Sequence, residues 1–129
     1  EENPEVIETN ILNIKPEETA TIIFTSGTTG TPKGVELTHQ NFLCQLQPMQ
    51  DRLDFHRADR CMCILPIWHV YQRVFEFFVF YFAGTLCYSK PVASVLLSDF
   101  LKVRPQVMPC VPRVWDALYQ AISKKIKKD

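Results

Sequence analysis

The chain has 129 residues, 47% of them hydrophobic and 22% charged, and its formal net charge is zero. That profile fits one compact globular domain or a piece of a larger one, and the charge balance removes any long-range pull toward nucleic acid or an anionic membrane. Five cysteines, an odd number scattered through apolar stretches, read as reduced thiols of a cytosolic or similar compartment rather than a disulfide framework.

Residues 1–19 are polar, carry Pro4 and Pro16, and read as a linker or surface segment ahead of a domain expected over 20–129. The opening "EENPEVIE" has neither an initiator methionine nor the apolar run of a secretory signal, so the chain is expected to begin inside a longer protein. "ATIIFT", Ala20 to Thr25, is a β-branched run bounded by a glycine loop and is expected as a buried strand. After the loop, Val35 and Leu37 alternate with Glu36 and Thr38 as in a half-buried strand. Thr38 or Asn41 can cap a helix running toward Gln47, which Pro48 would end or kink.

"CMCILP" is a further strand, and Val70 to Ala83 is expected as a helix apolar nearly all round and buried on most sides. Its "VFEFFVFYFAG" is far shorter than the roughly 20 apolar residues that cross a bilayer. "TLCYS" is a strand, "VASVLLSDFLKV" a helix and "PQVMPCV" an extended segment. From Pro112 onward, Val114, Leu118, Ile122 and Ile126 recur every four residues as one helical stripe. About four strands alternating with four helices make the fold class α/β.

The stretch "TSGTTGTPKG", Thr25 to Gly34, holds three of the four glycines. Gly27, Gly30 and Gly34 let the backbone turn tightly and bring N–H groups against a ligand. Thr25, Ser26, Thr28, Thr29 and Thr31 add hydroxyl donors, and Lys33, fixed behind Pro32, supplies the one full positive charge. Together they suit a polyphosphate. The order is not GxxxxGK[ST], since Pro32 and Gly34 stand where that pattern needs glycine and a hydroxyl residue, and no GxGxxG occurs.

"TSGTTGTPKG" meets, without a mismatch, the signature T-S-G-T-T-G-x-P-K-G of the AMP-forming (adenylate-forming) enzymes, and "LPIWHVYQR", Leu65 to Arg73, meets a second motif ending in histidine. On these residues the chain resembles that family, and "LPIWHVYQRVFEFFVFYFAG" with "VPRVWDALYQAI" looks like its long-chain fatty acyl-CoA synthetases. The resemblance implies an α/β piece of the N-terminal domain. It also implies activation of a fatty acid by ATP and Mg²⁺ to an acyl-adenylate, followed by transfer to CoA. Thr25 to Gly34 would then wrap the ATP phosphates, with Lys33 opposing their charge and Thr28 or Thr29 meeting Mg²⁺. His69 would lie near the acyl and adenylate groups, against the plainer reading of a core histidine. The family's tyrosine-glycine-x-threonine-glutamate motif, its ribose aspartate, hinge and C-terminal catalytic lysine do not occur before Asp129, so these residues alone are expected to be inactive. The alternative is a truncated, non-catalytic module that binds phosphate compounds or partners.

Three other groupings have plainer readings. Zinc at His56, Cys61, Cys63 and His69 is not expected: paired CxxC knuckles are missing, and the two thiols of C-x-C are taken to leave opposite strand faces. Ser26 with His39 lacks a G-x-S-x-G elbow. Arg73, Glu76 and the aromatics around them fit either core packing or an acyl tunnel. "KKIKK", Lys124 to Lys128, is a solvated helix end or a weak peripheral membrane contact, so the expected place is the cytoplasm or a membrane surface. Neither oligomeric state nor chain-length preference is legible.

Overall fold

A computed structural model describes residues 4–26 and 30–126. Its contacts divide the chain into two units, residues 1–48 and 49–129, with the boundary falling inside a helix.

In the first unit the polar opening carries a helix, α1 (Pro4–Asn13), whose residues from Glu5 onward are all exposed. It is followed by an antiparallel hairpin, β1 (Thr19–Thr25) with β2 (Lys33–Thr38). Thr25 stands opposite Lys33, Phe24 opposite Gly34 and Ile22 opposite Glu36. The expected strand is present, but it is not buried: Ile22 is 55% and Phe24 72% exposed. Two strands alone have no third layer to cover both faces, so the β-branched composition set the backbone and not the burial.

Helix α2 (His39–Leu53) follows directly. Thr38 and Asn41 cap it reciprocally: the Thr38 N–H donates to Asn41 Oδ1 at 2.9 Å, and the Asn41 N–H donates to Thr38 Oγ1 at 3.3 Å. This is the capping box with asparagine as its second member. The helix runs five residues past Pro48, so that proline does not end it. Phe42 and Leu46, one turn apart, are its buried residues.

The second unit is built on two parallel strands, β3 (Arg60–Cys63) and β4 (Thr85–Tyr88), joined by α3 (Val70–Tyr81). Val107, in the extended "PQVMPCV" segment, makes a parallel bridge to Cys61, with the Met62 N–H donating to Val107 O at 2.9 Å. Two more helices follow, α4 (Ala93–Val103) and α5 (Pro112–Ile126). Met62 and Ile64 pack with Leu96 of α4 and Leu118 of α5 in one cluster. Strand alternation turns Cys61 and Cys63 the other way, toward α3.

Helix α3 is buried along one stripe, Gln72, Phe75, Glu76, Phe78 and Val79, while Phe80 and Tyr81 are each 66% exposed. The expected burial on most sides is therefore too broad: a helix lying on one sheet face within this unit covers one stripe. In α5 the four-residue stripe is buried only at Leu118, with Ile122 48% and Ile126 70% exposed. α4 ends at Arg104, in the left-handed region at φ 49°, and its carbonyl accepts from Arg60 Nη2 at 3.1 Å and Nε at 3.3 Å. A cation at a helix C-terminus both satisfies that oxygen and opposes the helix dipole.

Candidate functional site

The hydroxyl-rich stretch lies at the tip of the β1–β2 hairpin. Thr25 and Lys33 close it as the last pair of the ladder, with Thr25 Oγ1 donating to Lys33 O at 3.4 Å. Gly30 has φ +81°, a conformation that an L side chain adopts only under strain, so this glycine is required by the turn. Gly34 is needed for space instead, since a Cβ there would meet Ile22 Cγ2 at 3.1 Å and Phe24 Cε1 at 3.5 Å. Thr25, Ser26, Gly30, Thr31, Pro32, Lys33 and Gly34 are all exposed. Gly27, Thr28 and Thr29, and with them both expected Mg²⁺ contacts, lie outside the described residues. Among the described residues Lys33 has no ion-pair partner. The hairpin thus presents hydroxyls and an ammonium group to solvent, and these features fit the tail of a nucleoside triphosphate.

His69 belongs to the second unit. It is the N-cap of α3 in extended conformation (φ −81°, ψ 126°), and its Nδ1 accepts from the Tyr71 N–H at 3.2 Å. Its own N–H donates to Pro66 O at 2.9 Å, its carbonyl accepts from the Arg73 N–H at 3.2 Å, and the residue is exposed. It is therefore a helix cap at the C-terminal end of the parallel strands and not a core histidine, the side of a parallel sheet on which ligands of open α/β folds bind.

His56 sits beside Asp54 and Asp59 at 3.8 and 3.7 Å on an exposed loop. The expectation that the two C-x-C thiols leave opposite faces is wrong, because residues i and i+2 of a strand share a face. Cys61 and Cys63 are both buried, and the Cys63 thiol donates to the Cys61 carbonyl at 3.9 Å; the neighbouring Cys63 thiol, with burial, pushes the Cys61 thiol far up, and the neighbouring Cys61 draws Cys63 down. Beside them lies a polar cluster that periodicity did not reveal. Gln72 Nε2 donates to Glu76 Oε1 at 3.1 Å, and the Tyr88 hydroxyl donates to the same oxygen at 3.3 Å. The available signal was the presence of glutamine and glutamate, four apart, in an otherwise apolar helix. Glu76 thus turns inward with Phe75 and Phe78. Lys127 and Lys128 of the "KKIKK" end lie outside the described residues, and among the described residues no helix is long and apolar enough to cross a membrane.

Comparison with known proteins identifies the scaffold. The long-chain-fatty-acid–[acyl-carrier-protein] ligase, chloroplastic, of Arabidopsis thaliana is 37% identical over 113 residues, 88% of this chain and 15% of its own. The peroxisomal long chain acyl-CoA synthetase 6 of the same plant is 36% identical over 113 residues, 88% of this chain and 16% of its own. The o-succinylbenzoate coenzyme A synthetase of Bacillus subtilis, solved with ATP and magnesium ion, superposes with a TM-score of 0.75 at 25% identity, covering 83% of this chain and 23% of that one. The chain therefore spans about a sixth of the length of these curated relatives and has the α/β architecture of part of an adenylate-forming N-terminal domain. The model of the AMP-binding enzyme family matches residues 1–129, and the chain belongs to that family.

Proposed function

We propose that the chain is the phosphate-gripping part of an AMP-forming ligase that activates a fatty acid with ATP and passes the acyl group to CoA. The observation that carries this reading is the hairpin tip: Gly30 at positive φ, exposed hydroxyls, and Lys33 paired with Thr25 at its base. Residues 20–129 then form part of the ATP- and acyl-binding domain, with 1–19 as the surface segment leading into it. Thr25 to Gly34 hold the β- and γ-phosphates through backbone N–H groups and hydroxyls, and Lys33 opposes their charge. Magnesium, held with help from Thr28 or Thr29, supplies charge neutralisation on the triphosphate. His69 faces the acyl and adenylate groups.

The fatty carboxylate attacks the α-phosphorus, pyrophosphate leaves, and the thiol of the acceptor then displaces AMP. Positioning and charge neutralisation carry such a transfer, so the chain's share is to orient the phosphates for in-line displacement. CoA is the acceptor preferred here; an acyl-carrier-protein thiol is the second reading, because one relative of 37% identity is named for that acceptor. Five free thiols suit a reducing compartment, the cytoplasm or an organelle such as those named for the two plant relatives.

The test is fatty-acid-dependent exchange of labelled pyrophosphate into ATP by the protein at its full natural length. Lys33→Ala should lower exchange on the order of 10²–10³-fold, the usual loss for one charge-stabilising donor, with an unmoved thermal midpoint because Lys33 is exposed. Exchange at the parent rate in that variant refutes the assigned role. Residues 1–129 alone should form no thioester, since the motifs expected to hold ribose and Mg²⁺ are not among them.

A further inference from the structure

Between the first turns of α4 and α5 lies a cleft of about 350 Å³, near the lower end of the roughly 300–1,000 Å³ typical of small-molecule sites. Leu96 and Leu118, both buried, form its inner wall, and Ala93, Val114 and Ala117 extend that apolar lining toward solvent. Arg113 is the one charged residue along it. Among the described residues this guanidinium has neither an ion pair nor a hydrogen bond, and Asp99 of α4 is engaged by the Ser89 hydroxyl at 2.6 Å. Neither helix carries an acidic residue in its first turn, and the N-cap of α4, Val92, makes no side-chain cap bond. The positive ends of both helix dipoles therefore add to the field of Arg113. An apolar wall beside an uncompensated cation selects an anion with an apolar body.

We propose that this cleft binds a small carboxylate with an apolar body, of the medium-chain class, and that this acid is not the one being activated. The volume suits a short chain rather than a long one. A guanidinium fork engages both oxygens of a carboxylate at once, which holds the acid in place and leaves neither oxygen free to attack phosphorus. None of the cleft residues belongs to Thr25–Gly34 or to Leu65–Arg73, so the site stands apart from the ATP-dependent reading.

The experiment uses the protein at its full natural length and octanoate bearing a terminal diazirine, which on illumination loses dinitrogen and inserts its carbene into a neighbouring bond to hydrogen. Peptide mass mapping should find the label on residues 93–96 or 113–118, displaced by excess octanoate and not by octanol, which keeps the chain and lacks the charge. Arg113→Gln should lower that labelling roughly 10-fold, the lower end of the loss for hydrogen bonds to a charged group. Ala117→Leu, which fills the mouth of the cleft, should lower it as well. Both residues are exposed, so both variants should keep the thermal midpoint. In pyrophosphate exchange with palmitate as the acid, Arg113→Gln should leave KM for palmitate unchanged. Absence of label from these two segments, label retained in either variant, or equal displacement by octanol overturns the proposal. Loss of label together with a raised KM for palmitate also overturns it, because the cleft would then hold the reacting acid.

Discussion

The phenol of Tyr88, at the end of β4, donates to the Glu76 carboxylate in the middle of α3 at 3.3 Å. Gln72, one turn before Glu76, donates to the same oxygen. The helix that connects β3 to β4 is thus fastened to the second strand by its polar residues, while Phe80 and Tyr81 turn outward. Two donors on one buried carboxylate oxygen fix which face of the helix meets the sheet, because rotation would break both bonds, while Gln72 Oε1 is left buried without a partner among the described residues.

Partial burial first, then the charge of Glu76, raise the Tyr88 phenol pKa in the folded state. A folded value above the unfolded one means that the native protein keeps a proton which the unfolded chain has released, so this contribution to stability is present below about pH 10 and is lost as pH rises through the folded value. Tyr88→Phe should flatten the alkaline decline of the thermal midpoint relative to the parent protein. Identical pH profiles above pH 9 for the two proteins would show the bond to be inert.

Helix α3 closes with an αL cap whose glycine is one place later than the usual pattern. Ala83 has φ 54° and its N–H donates to Phe80 O at 3.1 Å, while the Gly84 N–H donates to Val79 O at 2.8 Å. These are the two bonds of a Schellman ending, with alanine where glycine is normally found. Gly84 is required for room: a Cβ would lie 2.5 Å from Phe55 Cζ and 2.6 Å from Phe55 Cε1. Gly84→Ala should therefore cost about 1–3 kcal/mol by overpacking. Ala83→Gly should stabilise by up to about 1 kcal/mol by relieving the left-handed strain. Chemical denaturation of both variants checks the opposite signs; equal signs would refute this assignment of the two positions.

Thr38 and Asn41 each donate and accept across the first turn of α2. Alanine at either site should cost about 0.5–2 kcal/mol, and the double variant less than the sum, since each single change already breaks the shared box. Additive losses in a double-mutant cycle measured by urea unfolding would mean that the two bonds act separately.

The amino-acid sequence by itself determined the order of strands and helices after residue 19, the glycine, hydroxyl and lysine side chains gathered in Thr25 to Gly34, and the family. Each of these depends on local properties: β-branched runs, four-residue apolar spacing, and glycine, hydroxyl and lysine side chains placed side by side. The exposed α1 escaped it because weakly apolar, polar-rich segments carry no strong period. Only the tertiary structure decided which faces are covered, because burial depends on which layers meet: Ile22 and Phe24 stay exposed on a two-stranded hairpin, while Glu76 is drawn under α3 by Gln72 and Tyr88. The place of His69 as the cap of α3 likewise was settled by a backbone N–H two residues away, a donor that exists only once the chain has turned into the helix.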